Sequence, residues 1–155
     1  MKSEDRFITP FSPTILETNV PEKFIRLIND IGDEILSDDQ KSAQFDWSDH
    51  LVGKVHKEVQ IPMVNPEDAN YCKTVLKEKC LLYLKELISK SRAYIDNMIL
   101  HHPTKGNLHP TDANINISQS WIVSQYKGEY NPWHQHSGHL SSVIYLRLPK
   151  GMEEF

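Results

Sequence analysis

Ser120-Trp121-Ile122-Val123-Ser124-Gln125-Tyr126-Lys127-Gly128-Glu129-Tyr130-Asn131-Pro132-Trp133-His134-Gln135-His136-Ser137-Gly138-His139-Leu140-Ser141-Ser142-Val143-Ile144-Tyr145-Leu146-Arg147-Leu148 is the stretch on which the reading of this chain turns. Its two flanks, Trp121 to Tyr126 and Leu140 to Leu148, are rich in β-branched and aromatic residues, which fit a pleated, half-buried surface. Gly128 and Pro132 between them punctuate a turn. The expectation is an antiparallel pair of strands with His134, His136 and His139 at its mouth. Residues two apart on a strand share a face, so His134 and His136 both point inward toward one ion while Gln135 points away. Neutral imidazole is the commonest protein ligand for zinc, copper, iron and nickel. Five of the eight histidines lie elsewhere, as His50, His56, His101, His102 and His109. A His-x-His alone is therefore a weak signal here, and it is the flanking strands and the turn that give it weight.

Working back from this stretch, Ile115 and Ile117 alternate with polar neighbours from Ala113 onward, which predicts a strand ahead of the motif strand. His101-His102-Pro103 through Pro110, with Gly106 inside, is a turn-rich connector. Asn65-Pro66-Glu67-Asp68 opens a helix with a cap, a proline at the first position and acids at the positive dipole end. Cys72, Val75, Leu76, Leu82, Tyr83, Leu87, Tyr94, Ile95 and Met98 extend it to about Leu100, with a break near Ser89 to Ser91. Lys73, Lys77, Lys79 and Lys85 form its solvated face. Gln40 to Met63 is mostly polar, is broken by Gly53, and reads as a loop with short irregular elements whose Phe45 and Trp47 cover the core. Following Asn19 and Pro21, a helix with one buried face is expected from Phe24, Leu27, Ile28, Ile31 and Ile35, with Asp33, Glu34, Asp38 and Asp39 as a solvated acidic tail. Pro10 and Pro13 break the apolar run Phe7 to Leu16 into an edge strand or extended lead-in. Helices first and strands last make an α+β arrangement, with helices packed on one face of a sheet.

At 155 residues the chain has room for one domain with a real core. It holds no run of about 18 apolar residues, so no membrane partner is expected. A net charge of -4 argues against a general nucleic-acid binder, which would carry a basic face. Lys2 is followed by Ser3, Glu4 and Asp5, unlike the start of a signal peptide, and the cytoplasm is the expected location. On one helix Cys72 and Cys80 would stand about 12 Å apart, too far for a disulfide, so both read as reduced core residues.

Tyr126-x-Gly128, His134-x-His136, Leu140-Ser141 and Ile144-Tyr145-Leu146 together resemble the first half of the catalytic core of the 2-oxoglutarate- and Fe(II)-dependent oxygenases. The nearest likeness is to the prolyl-hydroxylase-like branch, and within it to a group frequent in marine bacteria and their phages. The resemblance covers residues 113 to 148 in detail and the helical lead-in loosely. It implies a double-stranded β-helix, or jelly roll, with residues 1–110 as a helical support region and 111–155 as the start of the core. It also implies Fe(II) as metal, with His134 and His136 as ligands, and 2-oxoglutarate as co-substrate, hydrogen-bonded by Tyr126 and Tyr145. Most of the superfamily has Asp where His136 stands, though the closer group often writes His-x-His. The reaction implied is hydroxylation of an unactivated C–H bond in a peptide or small molecule.

Such a core needs about eight strands, a distal histidine as third ligand and a basic residue for the far carboxylate of 2-oxoglutarate. Pro149 to Phe155 supply none of these, and Glu153 and Glu154 read as solvated. The expectation is a portion of a longer product, inactive by itself and prone to homo-oligomerise through exposed strand edges. Two other readings stand beside it. Gly128 followed by His134-x-His136 also fits the opening of a cupin metal motif, with His139 in place of its glutamate. A non-enzymatic phage or bacterial structural or interaction protein would use the same fold without a metal.

Overall fold

The computed structural model describes residues 5–8, 14–48, 53–63, 65–90, 115–132, 134, 136 and 138–152. Among them seven elements follow one another: β1 (Arg6–Ile8), β2 (Ile15–Glu17), α1 (Glu22–Leu36), α2 (Asp39–Gln44), β3 (Lys57–Gln60), α3 (Pro66–Lys90) and β4 (Trp121–Ser124). The class is α+β. Helices and strands interleave along the chain, which corrects the expected order of helices first and strands last. The chain forms two compact units, residues 1–21 with 70–116 and residues 22–69 with 117–155.

In the first unit β1 and β2 pair antiparallel, Phe7 opposite Leu16 and Ile8 opposite Ile15, so the extended lead-in is a small hairpin sheet. Thr18 Oγ1 donates to Asp5 Oδ1 at 2.5 Å, and Tyr83 Oη donates to the Thr14 carbonyl at 2.6 Å, tying α3 to the lead-in. Buried Cys72, Val75 and Leu87 lie on α3, while Lys73, Lys77 and Lys85 face solvent as the periodicity implies. Both cysteines are free thiols. The start of α3 is as expected: Pro66 stands first, and the Asn65 side chain accepts the Glu67 N–H at 2.9 Å. The expected extension through Tyr94, Ile95 and Met98 to Leu100, and the connector with His101, His102 and His109, lie outside the described residues.

In the second unit α1 buries Phe24, Ile28 and Ile35, each worth about 1.5–3 kcal/mol of removed apolar surface. Gly32 on the same face lets the helix approach β4, since a Cβ there would meet Ile122 Cδ1 at 2.8 Å. Asp38, expected only as solvated surface, caps α2 by accepting the N–H groups of Gln40 and Lys41 at 2.9 and 3.1 Å. β3 pairs antiparallel with β4, Val59 opposite Ile122 and Gln60 opposite Trp121. On its other edge β3 receives the Trp47 N–H and gives the Gln60 N–H to Phe45, so residues 45–47 flank it. Val59, fully buried, and Ile122 share the face that α1 covers, whereas Trp121 and Val123 belong to the opposite face.

Three expected strands need correction. The partner of Trp121–Ser124 is β3, within a segment read as loop, and not Leu140 to Leu148. Residues 140–148 form no strand; their polar ties run to α1, where Asn29 Nδ2 donates to the Leu146 carbonyl at 3.4 Å and Arg147 grips Asp33. Ile115 to Ile117 is not a strand either, because the ladder's last bond is Ile61 N–H to the Ser120 carbonyl at 3.1 Å. Strand propensity says what a segment suits, and pairing decides whether it is used. Among the described residues no helix is long and apolar enough to cross a membrane.

Candidate functional site

The segment that carries the histidines is anchored before it reaches them. Tyr126 to Glu129 forms a turn closed by Glu129 N–H to the Tyr126 carbonyl at 3.0 Å, with Gly128 at φ 84°, a region that favours glycine. Glu129 then reaches back. Its Oε2 accepts both the Tyr126 N–H and the His56 N–H, each at 2.8 Å, while Gln125 Nε2 donates to the Glu129 carbonyl at 2.7 Å. Lys54 and Tyr130 exchange two backbone hydrogen bonds of 2.9 and 2.8 Å. Gly53 makes that crossing fit, because a Cβ there would collide with the Tyr130 carbonyl, stand 2.6 Å from Pro132 Cδ and 2.9 Å from Asn131 Cα.

Pro132 delivers the chain to the histidine pair. A carbonyl oxygen only accepts, so His134 Nδ1 carries a proton and donates it to the Pro132 carbonyl at 2.8 Å. The lone pair of the neutral ring is then on Nε2. His136 Nε2 lies 2.9 Å from it, and the His136 ring rests 5.6 Å from Trp121. The two imidazole centroids are 4.5 Å apart with their planes at 80°. A straight N–H···N bond would set the centroids about 5.2 Å apart, so the ring axes lean instead of meeting head-on. Two imidazoles bound at a right angle to one ion, each nitrogen about 2.1 Å from it, have nitrogens about 3.0 Å and centroids about 4.5 Å apart. A tetrahedral angle would open the nitrogens to about 3.4 Å. With the lone pair of His134 on Nε2, the 2.9 Å contact is met by an N–H that His136 Nε2 donates, and two nitrogens aimed at one ion would have a similar separation. The Pro132 contact is also the outer-shell tie by which metal-binding histidines are commonly oriented.

Two nitrogens are what this cluster offers. Among the described residues no group of three His, Cys, Asp or Glu side chains could hold a metal ion. His139 is exposed. Neither Tyr126 nor Tyr145, 62% and 73% exposed, makes a ring contact or hydrogen bond with His134 or His136 among those residues.

Tyr126 belongs to a different neighbourhood. Its ring meets the edge of His56 at 4.7 Å and 76°, and both line an open hollow of about 510 Å³ with Asp46, Ser48, Lys57 and Ser124. Leu36 and Asp39 complete its rim. The Ser48 hydroxyl, then the Ser48 N–H, hold the Asp46 carboxyl below the usual carboxylate range, with burial working weakly the other way. Lys57 and Ser124 are paired across the sheet on the face that α1 covers, while Trp121 under His136 is on the other. Residues His56 and Glu129 carry no signal in the sequence that links them, since their bond spans 73 positions. The only hint is an acid directly after the glycine of a turn.

No family model, curated protein or solved structure matches this chain.

Proposed function

We propose that this chain carries part of the metal centre of a 2-oxoglutarate- and Fe(II)-dependent oxygenase, with His134 and His136 as two neighbouring ligands. The observation that carries the reading is the 2.9 Å Nε2–Nε2 separation with leaning ring axes, next to an Nδ1 already committed to Pro132. Iron is the metal that the resemblance of the Tyr126 to Leu148 stretch implies, and a facial arrangement of neighbouring imidazoles suits it. When bound, the metal with 2-oxoglutarate and dioxygen supplies hydroxylation of an unactivated C–H bond, with succinate and carbon dioxide as co-products. The protein's part is to orient His134 through Pro132, anchor the approach to the pair through the Glu129 knot, and present Trp121 as an apolar wall beside His136. Tyr126 and Tyr145 are proposed as phenolic donors to the co-substrate. The reading also requires a third protein ligand, a basic anchor for the far carboxylate, and a jelly-roll core larger than the two small sheets described above.

The experiment is anaerobic titration of the Fe(II)-loaded protein with 2-oxoglutarate, followed by visible absorption. Chelation through the keto and carboxylate oxygens is expected to give a charge-transfer band, weakened about tenfold in affinity by Tyr145→Phe, the loss of one charge-assisted hydrogen bond. Iron binding with no response to 2-oxoglutarate would leave a metal site and remove the oxygenase.

A second reading, an interaction protein that associates through its edges, is favoured by one observation. Val143 and Tyr145 are 79% and 73% exposed along a segment that has strand-forming composition and no strand partner among the described residues. Concentration-dependent size-exclusion behaviour that Val143→Lys abolishes is the outcome this reading expects.

A further inference from the structure

His134 can offer Nε2 to a metal only while its proton stays on Nδ1, and the Pro132 carbonyl at 2.8 Å is the acceptor that keeps it there. We propose that Glu129 is a positioning residue of the histidine pair, holding Pro132 where its carbonyl selects this tautomer of His134. The inference deepens the metal-site reading, and rests on it only for the consequence in iron affinity.

A free imidazole favours the proton on Nε2, so the opposite tautomer needs an acceptor fixed in place. Successive contacts between two stretches of backbone fix it. Glu129 Oε2 accepts the His56 N–H and the Tyr126 N–H, each at 2.8 Å, so one side-chain oxygen ties residue 56 to the turn that leads into the histidine loop. The next residue, Tyr130, exchanges backbone hydrogen bonds of 2.9 and 2.8 Å with Lys54. Gly53 then meets Pro132 so closely that a Cβ there would stand 2.6 Å from Pro132 Cδ. Among these hydrogen bonds the Glu129 bridge is the one made by a side chain, and a carboxylate taking two N–H groups is stronger than the neutral bonds between Lys54 and Tyr130. Without the bridge, only those neutral bonds hold the crossing, and His134 relaxes toward the tautomer of an unheld imidazole. Its Nε2 then carries a hydrogen, has no lone pair for a metal, and no longer accepts from His136 across 2.9 Å.

The test reads the tautomer directly, by long-range proton–nitrogen NMR of the imidazole rings in the metal-free protein at alkaline pH. Wild-type His134 is expected in the Nδ1–H form. Glu129→Ala is expected to move it toward the Nε2–H form, while Glu129→Gln, whose amide oxygen still accepts N–H groups, keeps most of the wild-type pattern. Glu129→Asp, one methylene too short for the bridge, gives a second variant if the alanine protein does not fold. In anaerobic Fe(II) titration Glu129→Ala is expected to bind about tenfold more weakly, as for other partners that orient a ligand. A wild-type His134 with its proton on Nε2, or a tautomer unchanged in the alanine and aspartate variants, would overturn the proposal. Wild-type protein that binds no Fe(II) would remove the metal reading, and the tautomer would still decide this one.

Discussion

Arg147 holds Asp33 with both arms of its guanidinium, Nη1 to Oδ1 at 2.8 Å and Nη2 to Oδ2 at 2.6 Å, across 114 positions of sequence. With the Asn29 contact to the Leu146 carbonyl, this fork–fork pair fastens residues 146–147 to α1. The Arg147 hydrogen bonds hold the Asp33 carboxyl below its ordinary value. A depressed carboxylate stabilises the folded state above its unfolded pKa, about 3.9, and loses that contribution as pH falls through the folded value. Amide exchange at residues 144–148 is therefore expected to quicken relative to α1 as the pH drops below about 4, and Arg147→Gln to show the faster exchange already at neutral pH. Both groups are more than half exposed, so global stability changes little. Exchange that is equally slow in the variant would mean that the backbone contact alone secures the segment.

Ser42 on α2 is fully buried, and its hydroxyl has no hydrogen-bond partner among the described residues. An unsatisfied buried hydroxyl costs about 1 kcal/mol or more, and alanine is also the better helix former. Ser42→Ala is expected to raise the midpoint of thermal unfolding by about 2–4 °C. A fall in that midpoint would show that the hydroxyl has an acceptor.

Gly53 sits where two backbones cross, directly before the histidine loop. A methyl group there meets the Tyr130 carbonyl and the Asn131 and Pro132 atoms, none of which is the free end of a flexible side chain. Gly53→Ala is expected to cost about 1–3 kcal/mol in denaturant unfolding, in the manner of an overpacked core, and to shift the ring resonances of His134. Gly128→Ala is the control: it meets open space and carries only the penalty of a left-handed φ, about 1–2 kcal/mol, so the His134 resonances should stay in place.

Burial pushes the Cys80 thiol up, and Cys72 is more deeply buried still. The reactive thiolate is scarce at neutral pH for such groups. Alkylation is expected to be slow in the native protein and to quicken on unfolding. Equal rates in both states would place the α3 thiols in solvent.

What could be read from the sequence was what is local. The Asn65-Pro66 start of α3 and the Phe24, Ile28, Ile35 face of α1 are written within a turn or two of helix, and they stand where they were expected. His134 and His136 are two residues apart, and the carbonyl that orients His134 belongs to Pro132, two residues earlier. β3 was missed because Lys57-Glu58-Val59-Gln60 has a single apolar residue, and its strand character comes from Trp121–Ser124 more than 60 positions away. The same distance hid the Glu129 knot and the hollow. Leu140 to Leu148 has strand composition, but composition names no partner, and the side chains of Asn29 and Asp33 hold it instead.

The measurement that bears most directly on the central claim is Fe(II) affinity under anaerobic conditions, compared among the wild type, His134→Ala, His136→Ala and His139→Ala. If His134 and His136 are neighbouring ligands of one ion, each of the first two substitutions lowers the affinity by about 100-fold or more, while His139→Ala leaves it unchanged. Iron bound equally by the wild type and the His134 and His136 variants would contradict the account, and would return the 2.9 Å contact to an ordinary hydrogen bond between two surface histidines.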